Sequence, residues 1–422
     1  MVMKVIYYEC RKAVTSPVIL SLLVLFTLYN IQLIYNAPTF KDELHVANEL
    51  ADQYGRTITS SSLEKLRQDL QKPLADLNEI TEKKTSQTFH SATEFFNQFR
   101  VGETEVYTEN EMRAFNQLFV KEQYLAKAET LDQRYEQFDG HQMGEAAINK
   151  FRITGDAAET LRKQYDQFSA RLEELQKNSE HKQWFFDGET NQMHSLLFKT
   201  VFRHLLLETL IIIVLATAFI SNFEFENRTS QVSFSSKRGR MLMRDKLFAA
   251  LLVSAGITAF MFLVTLGFYF INFDYSNLMM SAVSSGFNWE FGFSYLSWWK
   301  MSVFSYLIWA VVLSFVCVLL FAALTFAVSV LVKNSYYTFI LVAVIFAALY
   351  LLPGAMLSSS NLIFAASFNP SVLLLNPQTW FMGNKELLMF KYFEMVTVLA
   401  WAIMLGVLCM ICLKRFKKQS IV

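Results

Sequence analysis

Residues 221–246 read SNFEFENRTSQVSFSSKRGRMLMRDK and place six basic side chains, Arg228, Lys237, Arg238, Arg240, Arg244 and Lys246, between two long apolar runs. A cation at the centre of a bilayer costs several kcal/mol, so a cluster of this kind marks a loop on one face of a membrane. The flanking runs cover 199–221 and 247–272. Four others lie at 17–36, 302–332, 336–356 and 393–413, each near the ~20 residues that cross a ~30 Å hydrocarbon core. Composition agrees: 53% of residues are hydrophobic, 15% aromatic and only 18% charged, with a mean hydropathy of +0.27. The expected fold class is an all-α polytopic membrane protein with six transmembrane helices. The first run continues through LLVLFTLYNIQLIY, with Asn30 and Gln32 near its outer end and no small-x-small cleavage site, so it is expected to stay as an anchor.

Basic residues flank the runs on alternate ends. Lys4, Arg11 and Lys12 precede the first, six fill the 222–246 loop, Lys333 sits between the fourth and fifth, and Lys414, Arg415, Lys417 and Lys418 follow the last. Six spans put all of these on one side, which the positive-inside rule makes cytoplasmic. The domains expected are a cytoplasmic amphipathic entry helix (1–16), a first transmembrane helix (17–36), an extracellular domain (37–198), a five-helix transmembrane domain (199–413) and a basic cytoplasmic tail (414–422). The net charge of +1 gives no reason to expect nucleic acid as a partner; the lipid bilayer is one.

Residues 37–198 hold 28 acidic and 19 basic residues. Apolar positions recur at heptad-like spacing in three stretches: Leu63 to Ile80, Leu125 to Phe138, and Leu161 to Leu175. That pattern predicts a helical, coiled-coil-like domain. Gly140 and Gly155 should break it, and Pro73 should kink a helix or mark its boundary. LDQRYEQFDG (131–140) is echoed by LRKQYDQFSA (161–170), which reads as two antiparallel helices packing similar faces, or as a duplicated ligand-binding hairpin. Trp289, Trp298 and Trp299 are expected at the bilayer interface. In 353–391, Pro353, Pro370 and Pro377 punctuate apolar sequence, as in short helices dipping back into the outer leaflet.

No catalytic pattern stands out. The six histidines form no H-E-x-x-H, and no G-x-x-x-x-G-K-[ST] is present, so an energy source would lie in another subunit. Cys409 and Cys412 spell C-x-x-C inside an apolar helix end and read as ordinary small apolar residues. No metal and no cofactor are expected in this chain. Asn227-Arg228-Thr229 matches a glycosylation sequon on the face expected to be cytoplasmic and reads as chance. Glu208, one turn after His204, is the conspicuous ionisable residue of a span. The pair is a candidate pathway element, although Glu208 reads first as an interfacial residue paired with His204 or Arg203.

The 221–246 segment resembles the cytoplasmic loop of type-2 ABC exporter permeases, in which an acidic pair and a Thr precede a short helix, small residues, an Arg and a Lys opening the next span. Glu224, Glu226, Thr229, Ser235, Ser236, Arg238 or Arg240, and Lys246 match that order. YYECRKAVTSP near the N-terminus is similar to the family's entry helix, with Glu9, Arg11 and Lys12. Arg228 and Ser236-Lys237 depart from the usual pattern. The resemblance implies the membrane subunit of an ATP-driven exporter rather than an enzyme. It would work with a second permease copy or paralogue and two P-loop ATPase subunits that bind ATP and Mg. An amphipathic substrate such as a peptide, lipid or antibiotic would move outward. A helix over about 224–235 would dock in the ATPase through Phe223, Phe225, Val232 and Phe234, with Glu224 and Glu226 near its N-terminus. Anionic headgroups would suit the basic loop as well. The alternative function is a non-transporting envelope scaffold or receptor that presents a helical extracellular domain.

Overall fold

The computed structural model describes residues 2–37, 40–98, 106–187, 194–235, 239–290 and 293–418. Among the described residues, six helices are long and apolar enough to cross a membrane: Pro17–Tyr35, Ser195–Glu226, Gly239–Asn272, Val303–Val332, Ser335–Ala355 and Phe393–Lys418, here the first to sixth apolar helices. Their ends follow local chemistry. Pro17 opens the first, where a missing N–H costs nothing. Ser302 Oγ caps the fourth by accepting from Ser305 N at 3.2 Å. Lys333 turns the chain in a left-handed conformation (φ 56°), and Asn334 then caps the fifth by accepting from Tyr337 N at 3.0 Å.

The second apolar helix is the centre of the bundle, packing on the first, third, fourth and fifth. The helices before and after 221–246 extend past the expected limits, to Glu226 and back to Gly239. Arg240, Arg244 and Lys246 are therefore helical residues. Arg228, at φ 58°, breaks the chain between the two, and the single helix expected over 224–235 is reduced to Ser230–Ser235.

Residues 40–187 form a second body of helices: Lys41–Gln53, Ser60–Asp69, Gln71–Thr85, Ala92–Gln98, Glu109–Glu136, Gly140–Phe151 and Gly155–Lys177. Thr59 with Ser62 and Thr108 with Glu111 make reciprocal capping boxes. Pro73 lies in the first turn of its helix and so marks a boundary. The heptad-spaced side chains are mostly buried, and those of Gly155–Lys177 pack in part against irregular chain. Leu161, Tyr165, Phe168, Leu172 and Leu175 share a core with Tyr135, Leu296, Trp298 and Met389. The main helical partner of Gly155–Lys177 is the short Gly140–Phe151 helix. A Cβ on Gly140 would lie 2.8 Å from the Tyr165 carbonyl oxygen, so glycine is what permits the approach.

Of the three tryptophans expected at the bilayer interface, one lies inside the protein instead. Trp298 is buried in that same core, its Nε1 donating to the Met389 carbonyl at 2.6 Å and its ring 4.8 Å from Phe168. Trp289 lies 4.4 Å from the Arg134 guanidinium, and Trp299 lies 4.8 Å from Lys391 Nζ. The indole N–H of Trp298 finds a partner inside the protein, whereas Trp289 and Trp299 are met on their ring faces by cations. Segment 353–391 forms short helices Leu362–Ser367 and Pro370–Leu375. Asn369 caps the second of them at 3.0 Å and donates to the Leu349 and Ala366 carbonyls. Trp380 Nε1 donates to the Leu373 carbonyl at 2.9 Å.

Candidate functional site: a buried charge clasp at the basic end

Four charged side chains from three helices meet at the end of the bundle where the Phe393–Lys418 helix finishes. The entry helix, Val2–Val14, brings Glu9 and Lys12. The last turns of the second apolar helix bring Glu224, and the third brings Lys246. Lys246 is 0% exposed and Glu224 is 4% exposed. Lys246 Nζ donates to Glu224 Oε2 and to the Ile220 carbonyl, and lies 3.8 Å from Glu9 Oε2. Lys12 Nζ completes the ring, 2.7 Å from Glu9 Oε1 and 3.1 Å from Glu224 Oε1, and sits 4.4 Å over the half-buried Phe223 ring. Burial works against a charge on Lys12, yet the hydrogen bond to Glu9 and the field of Glu224 hold its ammonium above the usual lysine range. Two carboxylates and two ammoniums balance, which is what makes their burial tolerable.

The arrangement can transmit force. The entry helix, the second helix and the third helix share one set of charge-assisted hydrogen bonds at the root of residues 222–246, so displacement of that segment is resisted at all three together. Around it, Glu226 is exposed and accepts from Ser335 N at 2.6 Å, tying the segment to the fifth helix. Arg240 Nη1 donates to the Lys417 carbonyl at 2.8 Å, tying it to the sixth. Phe225, Phe234 and Phe416 form one aromatic cluster, with Lys333 5.4 Å from the Phe225 ring. Thr229 N donates to the Glu224 carbonyl at 2.9 Å, closing the turn. Arg11 is exposed, and Arg238 lies outside the described residues.

The side chains expected to meet a partner therefore separate. Glu224 is spent inside the chain, and Phe234 is 2% exposed. Val232, 78% exposed, and Glu226 are the ones left facing out. The helix expected to present all of them as one surface is interrupted at Arg228, which turns the Glu224 end inward.

His204 and Glu208 are not brought together by hydrogen bonding. Glu208 accepts from Asn30 Nδ2 of the first apolar helix, whereas His204 Nδ1 faces the Thr200 carbonyl at 2.8 Å. Asn30 is 0% exposed, and its pairing with Glu208 replaces the expected pairing with His204 or Arg203. The signal was present in Asn30 and in Glu208, a carboxylate set back from the ends of its helix, since interhelical polar pairs join membrane helices. Cys409 and Cys412 point at carbonyls of the fourth helix, Ala323 at 3.4 Å and Ala327 at 3.8 Å.

Buried charge recurs where the hydrophilic body meets the bundle. Arg171 makes paired bonds to Glu180 at 2.9 and 2.7 Å and donates to the Ser297 carbonyl at 3.1 Å. Lys385 pairs with Glu394, which also accepts from Phe381 N at 2.7 Å. His181, 3% exposed, faces Asp132 at 3.0 Å; burial pushes its pKa down although Asp132 opposes the shift.

In comparisons with known proteins, no family model, curated protein or solved structure matches the chain. Length and apolarity of the six helices suggest a multi-pass membrane protein.

Proposed function

We propose that the chain is the membrane-spanning subunit of an ATP-driven exporter. In this reading it is coupled through residues 222–246 to separate P-loop ATPase subunits and moves an amphipathic substrate outward. The observation that carries the reading is the Glu9–Lys12–Glu224–Lys246 clasp. It joins an amphipathic entry helix to two long apolar helices at the root of the segment that resembles an ATPase-docking loop. A docking loop must be stiff where it meets the spans, or the motion of the partner is lost in bending. Val232 and the exposed Glu226 are the contact residues in this reading, and the clasp is the joint behind them. Residues 40–187 then stand outside the cell as a body fixed to the spans by Arg171 and its partners. That fixed attachment also suits the second reading, a scaffold or receptor whose spans serve as its support.

The deciding experiment is mild solubilisation from the native membrane followed by mass spectrometry. A P-loop ATPase recovered in near-equal amount supports the exporter. Recovery of the intact protein without one overturns it in favour of the scaffold.

A further inference from the structure

The third and fourth apolar helices enclose a groove of about 380 Å³ on the side away from the basic end, within the ~300–1,000 Å³ range of ligand pockets. Its walls come from one stripe of the third helix, Phe262, Leu266 and Phe270, facing Val311 and Phe315 on the fourth. The Phe262 and Phe315 rings, 6.1 Å apart, close its floor. No lining side chain carries a hydrogen-bonding group. From Ala259 to Phe270 the stripe rises about 16 Å at ~1.5 Å per residue, about half of a ~30 Å hydrocarbon core, which is the reach of a single leaflet.

Gly267 lies in the lining, and a Cβ there would touch nothing within 4 Å. Glycine inside a helix costs roughly 0.5–1 kcal/mol relative to alanine, and no turn or close helix approach at this position offsets that cost. Its effect is to leave one wall of the groove open. At the far end Phe270 is shared with a second, much narrower cavity that Phe185 and Leu307 also line, so the groove narrows there. It is a slot with a floor, two walls and a narrowed end.

We propose that this slot binds one acyl chain of a bilayer phospholipid. The occupant follows from its surroundings: both walls are helices apolar enough to cross a membrane, so the medium over the opening is hydrocarbon, and the length fits one leaflet. The inference is independent of any ATPase.

The test uses the full chain in nanodiscs of phosphatidylcholine containing a small fraction of phosphatidylcholine with a photoactivatable group on one acyl chain. Adducts are then mapped by peptide mass spectrometry. Adducts concentrated on the 259–270 and 311–315 peptides are expected, in excess over those on the exposed Ile340 and Val344 of the fifth helix. Gly267→Leu and Ala259→Phe fill the slot from two places and should each lower that labelling severalfold. Gly256→Leu, three turns away on the same helix face with open space around it, should leave it unchanged. Equal labelling of all exposed helix faces, or equal loss in Gly256→Leu, would mean ordinary annular lipid and overturns the proposal. So does efficient disulfide dimerisation of Gly267→Cys, which would put a second copy of the chain in the slot.

Discussion

Replacement of Lys246 by methionine tests the clasp directly. Methionine keeps the length and packing of the side chain but removes the donor that serves Glu224 Oε2 and the Ile220 carbonyl. Glu224, 4% exposed, keeps one partner, Lys12 at 3.1 Å on the other oxygen. Breaking a buried pair from one side costs about 3–5 kcal/mol, and the surviving Lys12 contact places this site near the lower end, about 3 kcal/mol. Glu224→Gln should cost a similar amount, because Lys246 is then left with carbonyls and with Glu9 at 3.8 Å. The double variant Glu224→Gln/Lys246→Met removes both charges together and should recover most of the loss, so that its cost falls well below the sum of the two single costs. Glu9→Gln should be milder, since an amide oxygen can still accept from Lys12. The assay is thermal aggregation of detergent-solubilised protein followed by fluorescence-detected size exclusion. Lys246→Met is expected to lower the midpoint on the order of 5 °C, and the double variant to return close to the parent. Strictly additive single losses, or a Lys246→Met midpoint equal to that of the parent, would refute the clasp as a coupled unit.

Asn30→Leu should destabilise the solubilised protein by about 1–2 kcal/mol by leaving Glu208 without its amide donor; the same assay should show rescue by Glu208→Leu. Below pH about 6.5 the unfolded chain takes up a proton at histidine that buried His181 resists. The stability of the 170–187 region is therefore full above that pH and lost as pH falls. Hydrogen-exchange protection factors there, taken relative to the intrinsic rate at each pH, should fall between pH 7.5 and 5, and a flat response would remove His181 and its neighbours Asp132 and Lys182 from the account. Val232→Asp, at an exposed position, should leave thermal stability unchanged while lowering substrate-stimulated ATP hydrolysis of the assembled complex. Glu224→Lys should lower both, and a Val232→Asp complex with full activity argues against docking at that helix.

The six apolar helices were legible because a bilayer demands long unbroken runs, and their order and approximate limits follow from hydropathy alone. What escaped depended on distance in space. A heptad pattern records that one face of Gly155–Lys177 is buried, but not what buries it; the partner is Trp298 and Met389 from segments more than a hundred residues away. The three tryptophans look alike in sequence, and only the Met389 carbonyl distinguishes Trp298, giving its indole N–H a place to donate inside protein.

The charges of residues 221–246 show the same limit most sharply. Counting basic residues there yields a topology, and the positive-inside rule treats Lys246 and Arg244 as equivalent. In the fold they have opposite fates: Arg244 is exposed, while Lys246 is wholly buried between two glutamates. The difference arises from two residues of helix, about 200° of rotation at 3.6 residues per turn, which carry one side chain to solvent and the other to Glu224. A loop read only as charge is an address label. Read with its helical phase, the same segment separates an exposed Val232 from a buried Lys246 that is paired inside the chain.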